Sequence, residues 1–128
     1  MAPADLERLA RTFFGAYGHG DLETVGSLLA EDAVVHVTNA EGGVDRIEGR
    51  ESAMARLPDL TGAEWSTAVT QVVVVDAERV LTMIEVKAER KGRELNNFAA
   101  FLARVPDARI TDLWMVEARP AYSAEFWS

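Results

Sequence analysis

A chain of 128 residues with 48% apolar and 27% charged side chains can bury one sizeable core and has the balance of a soluble globular domain. Its formal charge of −8 excludes the clustered basic surface that nucleic acid or an anionic membrane would need. The absence of cysteine rules out disulfides, thiolate metal sites and cysteine nucleophiles, and His19 and His36 are too few and too far apart for a histidine-rich metal site.

Leu6, Leu9, Ala10, Phe13 and Tyr17 recur at the spacing of one helical stripe, which predicts a helix over Asp5–Tyr17. Pro3 suits its entry and Asp5 the positive end of its dipole, while Gly18 and Gly20 end it. Asp21 is an N-cap for a second helix, Leu22–Ala30, with Leu22, Val25, Leu28 and Leu29 on its buried side. Ala33–Thr38 reads as a strand, Asn39–Gly43 as a turn and Val44–Glu48 as the return strand. Gly49-Arg50-Glu51 then opens a short third helix carrying Ala53, Met54 and Leu57, and Pro58 stops it.

From Glu64 the pattern changes to long strands, about Trp65–Val75, Arg79–Arg90, Glu94–Val105 and Ile110–Arg119. The breaks at Asp76-Ala77-Glu78 and Lys91-Gly92 are short enough for hairpins, so this half is an antiparallel meander. Helices first and strands later is the α+β pattern. A two-residue Lys91-Gly92 loop sets Arg90 opposite Arg93, Val86 opposite Asn97, Ile84 opposite Ala99 and Thr82 opposite Phe101. Asn97 and Phe101 then share one face, Glu85, Lys87 and Phe98 the other. The loop of the last hairpin can hold four or five residues.

The strand Glu94–Val105 is apolar on both faces, with Leu95, Ala99 and Phe101 on one and Phe98, Ala100 and Leu102 on the other. Both faces must be covered. The chain's own helices can cover one, and a second copy of the chain, in a homodimer through the outer sheet face, is the expected cover of the other. No apolar run reaches transmembrane length and the N-terminus is acidic and amphipathic, so a cytoplasmic protein without membrane attachment is expected.

The chain resembles a SnoaL-like member of the nuclear transport factor 2-like superfamily. The likeness is carried by Gly20-Asp21, by Glu31-Asp32-Ala33-Val34-Val35-His36-Val37, by Gly49-Arg50-Glu51, by Arg109-Ile110-Thr111-Asp112-Leu113-Trp114 and by the closing Glu125-Phe126-Trp127-Ser128, in an order that spans nearly the whole chain. The resemblance implies one domain over residues 1–128: a cone-shaped α+β barrel, with three N-terminal helices packed on a strongly bent, mainly antiparallel sheet around a deep apolar pocket. It also implies ketosteroid isomerases, polyketide cyclases, epoxide hydrolases and binding-only proteins among the relatives, so fold alone does not choose a function. The positions at which isomerases and cyclases of this group keep their proton-transferring groups fall on Phe13, Val37, Phe101 (or its neighbour) and Met115, none of which transfers a proton.

The expected pocket wall is therefore Phe13, Val35, Val37, Trp65, Thr82, Ile84, Phe101 and Met115, with no metal and no cofactor. Tyr17, one turn beyond Phe13, either offers its hydroxyl into the pocket or is a core tyrosine with its hydroxyl at the rim. Asn97 either orients a ligand carbonyl or hydroxyl or faces water at a strand end. These two are the catalytic candidates. His36 is set outward by alternation with Val35 and Val37, as a structural or interface histidine. The expected partner is a small hydrophobic molecule of polyketide, terpenoid or steroid-like type. It is either turned over by isomerase, cyclase or lyase chemistry or bound unchanged.

Overall fold

The computed structural model describes residues 1–58 and 62–128. The elements are α1 (Pro3–Gly18), α2 (Leu22–Leu28), β1 (Leu29–Thr38), β2 (Val44–Glu48), α3 (Arg50–Ala55), β3 (Glu64–Val74), β4 (Arg79–Arg90), β5 (Arg93–Arg104), β6 (Ile110–Glu117) and α4 (Pro120–Trp127). The fold is α+β, as the helix-then-strand order requires. Only α1 and α2 precede the first strand; α3 lies between β2 and β3, and α4, a helix not anticipated from the sequence, ends the chain.

The six strands form one sheet in the order β2-β1-β6-β5-β4-β3. Every neighbouring pair is antiparallel except β1 and β6, which run parallel. The expected barrel is not closed: among the described residues β2 and β3 are the two edges, and no sixth ladder joins them. The sheet is nonetheless strongly bent. Ile47 of β2 and Trp65 of β3 line the same cavity, whereas in a flat six-stranded sheet those edges would lie about 24 Å apart.

Local chemistry explains most boundaries. Asp21 caps α2 as expected, its Oδ1 accepting from the Thr24 N–H at 3.2 Å. Gly18, the last residue of α1, is pressed against β3, and a Cβ there would lie 2.1 Å from Thr67 Oγ1. Lys91 and Gly92 both have positive φ, 53° and 74°. That is the geometry of the two-residue hairpin turn, and it gives the expected register: Val86 opposite Asn97, Ile84 opposite Ala99, Thr82 opposite Phe101. The last hairpin leaves Val105–Arg109 between β5 and β6.

The second helix is shorter than its apolar spacing suggests. It ends at Leu28 because Leu29 leaves the helix to pair with Ile110 of β6, so β1 begins at Leu29 rather than Ala33. The β1–β6 register shifts before Val34, across the exposed Glu31 and Asp32. Val25 is buried in α2, but Leu22, on the first turn at the periphery, is exposed.

The main core lies between α1 and the inner sheet face, where the Phe14 ring meets Phe101 at 4.7 Å and Phe13 edge-on at 5.0 Å. A second, smaller cluster joins Phe126 of α4 to Ala88 and Leu95. The outer face carries Met83, Phe98, Trp114 and Val116, all exposed. Truncating Phe14 removes the contact that holds α1 on β5, so Phe14→Ala should lower unfolding stability by about 3–5 kcal/mol, read from the urea midpoint.

Candidate functional site

A cavity of about 490 Å³ lies between the helices and the inner face of the sheet. Phe13 and Tyr17 reach it from α1, Val35 and Val37 from β1, Ile47 from β2, and Met54 from α3. Trp65, Ile84, Val86, Phe101 and Met115 supply the β3 to β6 wall, and Trp127 closes it from α4. Apart from Thr82, every residue expected to line a pocket does line this cavity. Thr82 shares the inner face with Phe101, but it lies where α1 packs on β3 and β4, so it is sealed in solid core. Its Oγ1 has no hydrogen-bond partner among the described residues.

Glu117, Asn97 and Tyr17 are among the polar side chains on the cavity wall. Glu117, at the end of β6, follows Met115 by two residues and so faces inward with it. Directly across on β5 stands Ala99, too small to cover the carboxyl. The backbone N–H of Glu117 donates to Thr38 Oγ1 at 3.1 Å, which ties the strand end to β1. Burial pushes the Glu117 carboxyl above the usual range, opposed in part by a hydrogen bond from Ser123 of α4.

Asn97 is buried, with 4% exposure, and both ends of its amide are engaged. Its Nδ2 reaches Glu117 Oε2 at 3.5 Å and the Arg119 carbonyl at 3.3 Å, while Oδ1 accepts from the Phe98 N–H at 3.0 Å. Asn97 thus holds Glu117 and the start of α4 in place rather than facing open space. Tyr17 packs its ring edge-on against Trp65 at 5.4 Å, and Trp65 in turn meets Trp127 at 5.5 Å. Burial, with a smaller push from the charge of Glu117, raises the Tyr17 pKa, so the phenol stays protonated and is a donor.

At the rim, Asp45 of β2 accepts from Asn39 Nδ2 at 3.0 Å and from Arg56 at 2.5 Å. These bonds hold its carboxyl below the usual range. His36 is away from the cavity, on the outer face, stacked on Trp114 with centroids 5.4 Å apart and planes 4° from parallel. Glu117 is the polar group that reading the sequence for a site overlooked. The signal was present, because alternation along one strand puts Glu117 on the face of Met115.

A bent, helix-roofed sheet around an apolar cavity with an acid at one end defines a known architecture. The chain belongs to the SnoaL-like domain family, whose model matches residues 10–113. An uncharacterized protein of Mycobacterium tuberculosis is 29% identical over 128 residues, spanning 98% of this chain and 97% of the relative. Among solved structures, Bal32a from a soil-derived mobile gene cassette matches with a TM-score of 0.83 at 23% identity, covering 98% of each chain. An LEH-like epoxide hydrolase of Mycobacterium tuberculosis matches with a TM-score of 0.76 at 19% identity, covering 96% of this chain and 90% of the hydrolase. Similarity at these identities establishes the shared fold. Among the described residues, no helix is long and apolar enough to cross a membrane.

Two stability tests follow from this geometry. Thr82→Val removes a buried hydroxyl without a partner at nearly constant shape and should stabilise by about 1 kcal/mol, seen as a higher urea midpoint. Glu117 binds its proton more tightly folded than unfolded, so its contribution to stability falls as pH rises from the ordinary glutamate range through its raised folded value. Glu117→Gln should therefore melt above the parent at pH 7, and the gap should close once pH drops below the ordinary glutamate pKa of about 4.3. Paired melting curves across that range check it.

Proposed function

We propose that this chain is a cytoplasmic small-molecule enzyme that performs isomerase, cyclase or lyase-type chemistry on a mostly apolar metabolite, of polyketide, terpenoid or steroid-like kind, held in the cavity. The observation that carries this reading is Glu117: a carboxyl with raised pKa on the wall of an apolar cavity, held by Asn97 and close enough to Tyr17 to affect its pKa. Perturbed acids in clefts are where proton transfer is done.

In the proposed mechanism the Glu117 carboxylate removes a proton from carbon next to a substrate carbonyl. The Tyr17 hydroxyl donates a hydrogen bond to the oxygen on which negative charge then gathers. Glu117 returns the proton at a second carbon, which balances an isomerisation; in a cyclisation the enolate carbon instead attacks another carbonyl, closing a ring, and the proton on Glu117 passes to the alkoxide oxygen so formed. Phe13, Val37, Phe101 and Met115 exclude water and hold the reacting ends together. Asn97 is a positioning residue in this scheme, because its amide is already engaged. The fold similarity to an epoxide hydrolase supports an enzyme on this scaffold without naming the reaction.

The second reading is a binding protein that releases its ligand unaltered, favoured by the apolar residues at Phe13, Val37, Phe101 and Met115. Incubating the protein with a small-molecule extract of its host and comparing bound and released species by mass spectrometry separates the two. Conversion by the parent, reduced about 100-fold or more in Glu117→Gln, supports the enzyme. Conversion unaffected by Glu117→Gln sinks the assigned role, and a ligand recovered unchanged sinks the enzyme.

We also propose that the chain works as a homodimer through the outer sheet face, since Phe98 and Val116 are 50% and 57% exposed beside Met83 and Trp114. Sedimentation at micromolar concentration should give the mass of a dimer; a monomer there rejects it.

A further inference from the structure

We infer that the cavity selects its ligand by charge: it accepts uncharged molecules carrying a carbonyl or hydroxyl oxygen and turns away carboxylates, sulfonates and phosphates. This deepens the reading that the cavity takes a small apolar ligand and rests on it. Of the described residues lining the cavity, Glu41, Asp45 and Glu117 carry acids and Arg56 alone carries a base. Arg56 is not free. Its guanidinium lies 2.5 Å from Asp45 Oδ2, and the other oxygen of Asp45 accepts from Asn39.

Asn39 is locked in its own turn, with Oδ1 accepting the N–H groups of Glu41 at 3.1 Å and Gly43 at 2.9 Å. The rim is therefore a braced unit. An entering anion has to displace a carboxylate already bonded twice in order to reach Arg56. It also meets Glu41 at the rim and Glu117 within, on a chain of formal charge −8. An uncharged oxygen pays no such repulsion and finds the Tyr17 hydroxyl as donor. The chemistry that supplies this ligand must then deliver it free of any phosphate-bearing or carboxylated carrier.

Two fluorescent probes with the same aromatic skeleton test the filter: neutral N-phenyl-1-naphthylamine and anionic 8-anilino-1-naphthalenesulfonate. Met115→Trp, which narrows the cavity from its β6 wall, should weaken the signal that comes from within it and so identifies that signal. The neutral probe should bind the parent at least about tenfold more tightly than the anionic one. Asp45→Asn, which removes a negative charge and frees Arg56, should tighten the anionic probe by about tenfold with little change for the neutral one. Glu41→Gln, on an exposed turn where folding is not at risk, should move the anionic probe the same way by a smaller factor. Rising salt should narrow the gap between probes in the parent.

Equal affinity of the parent for both probes overturns the filter. So does a preference for the neutral probe that neither variant nor salt alters, since that marks the sulfonate's bulk rather than its charge. Failure of the neutral probe to bind a correctly folded parent overturns the small-ligand reading itself, and the filter with it.

Discussion

The inner face of β5 needs cover along its whole length, and no single helix supplies it. At one end α1 lays Phe14 on Phe101, and Ala103 joins the same core. At the other, α4 brings Phe126 onto Leu95 in a separate cluster. Between the two clusters Ala99 lines the cavity, together with Asn97, whose amide reaches the Arg119 carbonyl at the start of α4. Close packing at both ends and a gap in the middle is what converts a covered sheet into a site.

The same gap explains the state of Glu117. A carboxyl on a strand end facing water would titrate normally; on the inner face, opposite a small Ala99 and beneath α4, it loses solvent and gains a tighter hold on its proton. Ser123 and Asn97 keep it oriented without neutralising it. At the rim the balance reverses: Asp45 is solvated and paired, so it remains an anion. The two carboxyls on the cavity thus differ in character, the one inside held above its usual range and the one at the entrance below it.

The parts of the chain governed by short-range rules were readable directly. The 3.6-residue stripe of α1, the Asp21 cap and the Lys91-Gly92 turn depend on neighbours within a few residues, and the turn alone carried the whole β4–β5 register. The boundary between α2 and β1 was not readable, because Leu28 and Leu29 suit a helix as well as a strand until Ile110, far along the chain, arrives as a partner. The pocket face was legible by alternation, but Thr82 shows its limit: being on the inner face does not say whether a helix or an opening lies above.

From the order of its apolar and polar residues alone, the chain determined an α+β fold and a doubly apolar central strand, while the resemblance to SnoaL-like proteins implied a pocket whose usual proton-transfer positions fall on Phe13, Val37, Phe101 and Met115. Only the tertiary structure decided that the sheet stays open, that α4 supplies one wall, and that Glu117 rather than a residue nearer Trp114 is the half-buried acid on the cavity wall. The reason is physical. Periodicity assigns a side chain to a face, whereas its solvation and acidity depend on which element comes to lie over that face, and α4 is held over Glu117 because Phe126 packs on Ala88 of β4 and Leu95 of β5.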